Sequence, residues 1–440
     1  MKRLVIIALT LLLGLPALAQ QRRPAFPDLD RDTRAAIVDS VTAALDTVYV
    51  FPDVATAMVA DVRRRFARGE YDDFADPAAF ADRLTEDLRT ISHDLHLRVG
   101  IAEPPPPGEL EDPALARQHR LEEARRDNFG FVKVERMAGN VGYLKLDGFS
   151  GAPEAGPTAS AAMTFLSGCD AIIIDLTENG GGSPSMIQLL TSYLVEPGTH
   201  LNSFYVRATD DMQQFWTLPF VPGVRNPDAL VYVLTSGRTF SAAEEFTYNL
   251  KNLERATIVG ETTGGGAHPV DRHFFDFGAY HVTMSLPFGR AVNPITGTNW
   301  EGTGIEPHLA CASADAFTTA YLQALEDLAE DCDDEGQRYE LTWARDGLKA
   351  DLAPVSMSTR DLDQLVGRYG PRQIRREDDL LIYQRDGRDP LVLRAMGDDT
   401  FGVEGLDWFR LRFERDDRGR VQRLVGLYRS GRTDENARDR

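Results

Sequence analysis

"LVYVLTSGRTFSAAEEFTYNLKNLERATIVGE", residues 230 to 261, reads as a strand, a helix and a second strand. Its two ends are short apolar runs, and its middle carries apolar residues at helical spacing. The same alternation extends toward the N-terminus, so the sequence predicts an α/β fold with a largely parallel sheet covered by helices on both faces. The predicted strands are 141–149, 171–176, 230–236 and 256–261, and the predicted helices between them are 153–168, 184–195 and 241–253.

The segments on either side of this α/β core have different patterns. Helical periodicity before it predicts an N-terminal helical domain, and the run EPPPPGELEDP predicts an exposed linker. Alternating short strands with Gly and Asp turns after it predict a small antiparallel β domain. We therefore divide the chain into a signal peptide (1–19), a helical domain (28–102), a linker with a solvated helix (103–127), an α/β core (128–332), a connecting helix (333–354) and a C-terminal β domain (355–440).

Composition and charge limit the classes of function. The 440 residues are 42% hydrophobic and 26% charged, the balance of a globular protein. The formal net charge of −20 would repel phosphate backbones, which argues against nucleic acid as a partner. Neither the three cysteines nor the eight histidines have a metal-binding spacing, so we expect no metal and no cofactor.

The first 19 residues have the pattern of a secretory signal peptide. Lys2 and Arg3 precede an apolar run, and Ala17-Leu18-Ala19 is a small-x-small cleavage site. No later segment is apolar enough to cross a bilayer. The sequence therefore predicts an exported, soluble protein, periplasmic or secreted.

Ser241 stands where the central helix begins, and two interpretations apply to it. With Glu244 it forms a capping box, in which the two side chains satisfy each other's backbone amides. A serine at a strand-to-helix turn also exposes its hydroxyl beside amides and a positive dipole end that favour an oxyanion. Such a hydroxyl needs a base, and Lys251 is about 15 Å along the same helix, too far to act.

Three further motifs each have an ordinary explanation when they are taken alone. The run IIIDLTENGGGSP places Asn179-Gly180-Gly181-Gly182 after a buried strand, where glycine allows a tight turn or a close backbone approach to a ligand. The run ISHDLHLRV carries His93 and His96, and a histidine is most often structural. The run NWEGTGIEPH carries Glu301, either a loop carboxylate or the acid that orients an imidazole.

Taken together, the four motifs resemble the C-terminal processing (tail-specific) peptidases, a superfamily of serine peptidases. The resemblance is closer to the branch of tricorn core proteases and interphotoreceptor retinoid-binding protein. TFSAAEEF…RATIVGETTGGGA is similar to the nucleophile helix and following strand, IIIDLTENGGG to the glycine turn, NFGFVKVERMAGNVGYLKLDGF to the opening of the core, and DLHLRV to the histidine motif. The resemblance covers about residues 30 to 330 and implies a ClpP/crotonase-like core sheet.

The resemblance also implies roles for individual residues. The nucleophile falls on Ser241, the oxyanion amides on Ala242 and on Gly181 (with Gly180 and Gly182 one step off), the base on His96 with His93 as the alternative, and the orienting acid on Glu301. The lysine base of the tail-specific branch falls on Gly266, which rules out a Ser-Lys mechanism. Leu95 replaces a serine that precedes the histidine in the tricorn motif, and Thr177 replaces an arginine of the glycine turn.

These assignments predict an exported serine peptidase that hydrolyses peptide bonds through an acyl-enzyme on Ser241. Its expected partners are peptide or protein substrates. The alternative is a non-catalytic protein that binds an apolar ligand, a retinoid or a fatty acid, on the same fold. Esterase activity on the same triad is a third interpretation that sequence does not separate from the first.

Overall fold

The computed structural model describes residues 26–103 and 112–439. The predicted signal peptide and most of the predicted linker lie outside these residues. Among the helices that are described, none combines the length and the apolar character that crossing a membrane requires.

Three helices begin the described chain: α1 Arg31–Val48, α2 Pro52–Ala67 and α3 Pro77–Ser92. The carboxylates of Asp30 and Asp76 accept backbone N–H groups at 2.7 Å and fix the starts of α1 and α3. The apolar faces of the three helices share one core, which confirms helices before the α/β core. Strand β1 (Arg98–Ala102) and helix α4 (Pro113–Arg126) follow.

The central segment alternates strands and helices as the sequence predicts. Its first half contains β2 Phe131–Arg136, β3 Val141–Leu146, α5 Ala152–Leu166, β4 Ala171–Asp175, α6 Pro184–Leu194, β5 His200–Val206 and β6 Asp211–Trp216. Its second half contains β7 Leu230–Thr235, α7 Ala242–Asn252, β8 Thr257–Gly260, β9 Val270–Asp276, β10 His281–Pro287, β11 Gly289–Val292, β12 Leu309–Ala310, α8 Ser313–Glu330 and α9 Glu335–Leu352.

The central sheet has six strands in the order β12-β8-β7-β4-β3-β2. Its neighbours are parallel except β2, which runs antiparallel to β3, so the sheet is mixed. Helices α5, α6 and α7 pack on one face through an apolar core, and α8 and α9 pack on the other. Both faces are therefore buried, as the continuous apolar strands predict. The carboxyl ends of β4 and β7 lead into the glycine turn and Ser241.

Two three-stranded sheets were not predicted from the sequence. Strands β11, β5 and β6 form one of them, and β1, β10 and β9 form the other, both with antiparallel pairs. In the second sheet a strand of the N-terminal region pairs with a hairpin of the core. This pairing brings the segment after α3, which carries His96, close to the segment before β9.

The C-terminal region is an antiparallel β domain, as predicted. A short helix, α10 (Thr359–Leu365), precedes eight strands that pair in chain order. A bridge between Tyr369 and Arg438 connects the first strand to the end of the chain and gives the sheet a barrel-like form. The strands are β13 Gly367–Tyr369, β14 Arg372–Glu377, β15 Leu380–Arg385, β16 Leu391–Gly397, β17 Thr400–Val403, β18 Leu406–Arg415, β19 Val421–Tyr428 and β20 Thr433–Ala437.

Candidate active site

Ser241 lies in a sharp turn between β7 and α7. Its backbone has φ 56° and ψ −120°, whereas the caps Asp30 and Asp76 of other helices have extended backbones. A non-glycine residue held at such a φ costs about 1–3 kcal/mol. The Ser241 N–H donates to the Glu244 carboxylate at 2.9 Å, and the capping box predicted for these two residues is present. Capping alone does not need the strained backbone, because ordinary caps are extended.

The glycine turn lies directly against Ser241. A Cβ added to Gly181 would lie 2.8 Å from the Ser241 Cβ and 3.1 Å from the Ala242 nitrogen. Gly181 also has φ 111°, a conformation that favours glycine. The fold thus brings the predicted nucleophile and the two predicted oxyanion residues together. The Gly181 N–H, however, donates to the Asn179 side chain at 2.9 Å, so in this conformation it is already engaged.

Glu244 connects the Ser241 turn to the glycine loop that follows β8. Its fully buried carboxylate accepts hydrogen bonds from the Thr263 hydroxyl at 2.5 Å and from the N–H groups of Gly265 and Gly266 at 2.7 and 2.8 Å. Burial raises the pKa of this carboxyl, and the hydrogen bonds oppose that rise. The sequence indicated only its capping role.

His96 lies against Phe240, the residue before Ser241. Its imidazole packs on the Phe240 ring with a centroid distance of 4.6 Å. A Cβ on Gly266 would lie only 2.6 Å from the His96 Cε1, so glycine at this position leaves room for the imidazole. Burial lowers the pKa of His96 to about 4, which keeps the ring neutral near pH 7. Neither ring nitrogen has a hydrogen-bond partner among the described residues.

Glu301 approaches a different imidazole from the one predicted. Its carboxylate accepts the Ala267 N–H at 2.5 Å and lies 3.6 Å from the His268 Nδ1. Burial raises the pKa of Glu301 to about 7. Because both His96 nitrogens lack a partner within the described chain, a direct hydrogen bond from Glu301 to His96 is not formed. The imidazole next to the Glu301 carboxylate is that of His268, and the predicted roles of Glu301 and His96 stay predictions.

His268 and Asp94 form a buried pair, of which His268 was not predicted from the sequence. The His268 Nδ1 lies 2.7 Å from the Asp94 Oδ2, and the Tyr49 hydroxyl donates to the same oxygen at 3.3 Å. Burial opposes the charge on His268, but the hydrogen bond and charge of Asp94 and the charge of Glu301 outweigh it and raise the pKa. Burial opposes the charge on Asp94 as well, and His268 in turn lowers that pKa. One signal was available, since His268 follows the glycine run by two residues.

The remaining candidates are placed as follows. His93, the alternative base, ends α3 as an exposed residue with φ 54°. Asp94, His268 and Glu301 have ligand-type atoms within 4.8 Å of one another, the one such group of three or more found in the described ranges. The 2.7 Å separation of His268 and Asp94 is that of a hydrogen bond, shorter than the spacing of two ligands around a metal.

Two family models match this sequence. Residues 140–311 match the model described as peptidase family S41, and residues 29–127 match the N-terminal domain of that family in eukaryotic IRBP. The first match contains Ser241, the glycine turn, His268 and Glu301, and the second contains His93, Asp94 and His96.

Several solved structures are similar to the chain at low identity. Mature CPAF is 19% identical over 43% of this chain and 51% of its own, with a TM-score of 0.37. A lipoprotein from Streptococcus agalactiae is 15% identical over 67% of this chain and 96% of its own, with a TM-score of 0.45. The tricorn protease is 12% identical over 66% of this chain and 35% of its own, with a TM-score of 0.41. The chain therefore spans about half the length of mature CPAF.

Proposed function

The chain belongs to peptidase family S41, and from that premise we propose that it is a serine peptidase with Ser241 as its nucleophile. The observation that carries the proposal is the strained backbone of Ser241 against Gly181 and the Ala242 amide. Strain of this kind is found where the surrounding structure holds a residue for a function. It distinguishes a nucleophile turn from the extended helix caps elsewhere in the chain.

In the proposed mechanism His96 takes the Ser241 proton while the oxygen attacks the carbonyl carbon of a peptide bond. The carbonyl oxygen becomes an oxyanion that accepts hydrogen bonds from the Ala242 N–H and from an amide of the glycine turn. His96 then gives its proton to the departing amine as the C–N bond breaks. Water, deprotonated by His96, then attacks the acyl carbon, the ester bond to the Ser241 oxygen breaks, and His96 returns the proton to that oxygen as the carboxylic acid product leaves.

The environment of His96 supports its role as the base. The ring is neutral near pH 7 and has both nitrogens without partners in the described part of the chain. A buried polar atom without a partner is costly, so an incoming hydroxyl or substrate group would satisfy a group that the fold leaves unpaired. The low pKa limits its basicity until charge develops nearby.

The Gly181 amide can serve the oxyanion only if its bond to Asn179 opens. We propose that substrate entry displaces the Asn179 oxygen, since an oxyanion accepts a stronger hydrogen bond than an amide oxygen does. Roles for Ala242 and Gly181 stay predictions, as do the domain boundaries and export through residues 1–19. The substrate class that fits the family is a peptide or protein. Binding of an apolar ligand is not favoured, because binding alone does not require a strained serine.

A fluorophosphonate probe tests the proposal directly, because it reacts with activated serine hydroxyls. Wild-type protein is expected to be labelled and Ser241→Ala is expected not to be. Ser167→Ala, at the end of α5, is the matched control and should be labelled like wild type. Lack of labelling in wild type, or labelling that survives Ser241→Ala, would contradict the proposal. Turnover of peptide against ester substrates then separates peptidase from esterase activity.

A further inference from the structure

We propose that His268 is a positioning residue that couples Glu301 to the base, acting on His96 through the Asp94 carboxylate. The inference rests on the proposed function, because it assigns His96 as the base. The described residues form no direct hydrogen bond between Glu301 and His96. The path instead runs from Glu301 through the side chains of His268 and Asp94 to the backbone N–H of His96.

The first step of the path is the position of His268 between two carboxylates. Its Nδ1 lies 2.7 Å from Asp94 and 3.6 Å from Glu301. Asp94 is 1% exposed and His268 5% exposed, so water screens these contacts little. The imidazole also packs against the Phe51 ring in a T-shaped arrangement, at a centroid distance of 5.5 Å. Packing and hydrogen bonding therefore hold His268 in one orientation.

The second step connects Asp94 to the base. The other Asp94 oxygen accepts the backbone N–H of His96 at 3.0 Å, and the Asp94 N–H donates to the Ser92 hydroxyl at 3.2 Å. Arg89 donates to the Leu97 carbonyl at 2.8 Å on the other side of His96. The segment that carries the imidazole is thus held by its backbone. The Leu95 side chain is exposed and, because it is apolar, donates and accepts no hydrogen bond in this segment.

The charges around His268 favour its protonated form. Asp94 comes from the segment after α3, Glu301 from the loop before β12, and Arg290 from β11, while Tyr49 reaches Asp94 from the end of α1. Two carboxylates thus face one guanidinium. With the imidazole removed, Asp94 and Glu301 would be two buried acids without a cation between them, and they would repel each other. The Asp94 bond to the His96 backbone would then weaken.

Two substitutions test the proposal in the full-length protein. His268→Asn keeps a donor near the Nδ1 position but removes the charge, and Glu301→Gln removes the acid and leaves His268 in place. Each is expected to lower the rate of fluorophosphonate labelling about 10²-fold, the typical cost of a misplaced catalytic group. His200→Asn is the matched control: this histidine stacks on Trp216 in the β5–β6 hairpin and should label at the wild-type rate.

The pH profile separates positioning from a merely structural role. Wild-type labelling should decline as the pH rises and His268 loses its proton, and His268→Asn should lack that decline. A wild-type profile and rate in His268→Asn, in protein with an unchanged melting temperature, would overturn the inference while labelling of Ser241 stands. If His268→Asn does not fold, Glu301→Gln provides the test. Its labelling should decline at a lower pH than that of wild type, because the Glu301 charge raises the pKa of His268. The same pH of decline in both proteins would overturn the inference. Failure of wild type itself to label would refute the proposed function instead.

Discussion

The two sides of the candidate active site are built differently. The nucleophile side comes mainly from the two neighbouring β-strand ends and the glycine loop, and Glu244 satisfies four donors there. The base side is assembled from distant segments that carry Tyr49, Asp94, His268 and Glu301. It leaves both nitrogens of His96 and one oxygen of Glu301 without partners in the described chain. The comparison indicates a rigid, fully hydrogen-bonded frame around Ser241. Opposite it, titratable groups keep unpaired polar atoms that are available to a bound substrate.

Loss of Glu244 should give the largest effect, on the nucleophile side. Glu244→Ala would leave a hydroxyl and three backbone amides without their acceptor, and each unsatisfied buried donor costs about 1–3 kcal/mol. We expect a loss of about 4 kcal/mol in the free energy of unfolding, measured in urea. Glu244→Gln, which keeps one acceptor oxygen, should lose less. Equal stability of Glu244→Ala and wild type would remove the distinction between the two sides.

The base side should show itself in the pH dependence of stability. The His96 pKa of about 4 lies below the 6.5 of an unfolded histidine. As the pH falls, His96 takes up a proton in the unfolded chain before it does so in the folded protein. The free energy of unfolding that this group contributes is therefore fully present above pH 6.5, and about 3 kcal/mol of it is lost as the pH falls to 4. His96→Gln should lack this acid-side loss in urea unfolding measured between pH 4 and 8.

Glu301 provides the comparison of opposite sign. Its pKa of about 7 lies above the 4.5 of an unfolded glutamate. Stability from this group is present below pH 4.5 and lost as the pH rises through 7, again by about 3 kcal/mol. Glu301→Gln should therefore be more stable than wild type at pH 8 and closer to it at pH 4. The same slope in wild type and both variants would show that neither group titrates as proposed.

Gly266 is where the two sides meet. In Gly266→Ala the new Cβ would lie 2.6 Å from the His96 Cε1 and 2.2 Å from the Phe240 ring, so the imidazole must move. A labelling rate about 10²-fold below wild type is expected, because a displacement of about 1 Å has that cost. Gly168→Ala is the control, since nothing lies within 4 Å of its Cβ. Wild-type labelling of Gly266→Ala would mean that His96 does not need its present place.

Tyr49→Phe should have the smallest effect. It removes one 3.3 Å hydrogen bond to Asp94 and keeps the packing of the ring. A loss of about 1 kcal/mol in the free energy of unfolding is expected from such a bond. Labelling should fall by less than about 5-fold, since His268 still holds the carboxylate. A loss as large as that of Glu244→Ala would show that the base side is as rigid as the nucleophile side.

The sequence predicted the nucleophile side of the site better than the base side. The strands around Ser241 and the helices predicted at 153–168 and 184–195 could be predicted because their apolar periodicity is local. Neighbouring parallel strands end at one edge, so Ser241 and the glycine turn were bound to be close. Strands β6 and β9 are largely exposed, and their short runs carry little pattern.

The contact of Asp94 with His268 joins residues 174 positions apart. It depends on the pairing of β1 with β10, which no local spacing encodes. The position of His268 beside Glu301 therefore follows from tertiary pairing, and the predicted role of Glu301 as the orienting acid stays a prediction.

The assignment of Ser241 as the nucleophile is tested most directly by locating the residue to which the fluorophosphonate probe becomes attached. Wild-type protein treated with the fluorophosphonate probe would be digested and its peptides analysed by mass spectrometry. One adduct is expected, on the hydroxyl of Ser241. An adduct on another serine, or none at a concentration that labels known serine hydrolases, would contradict it.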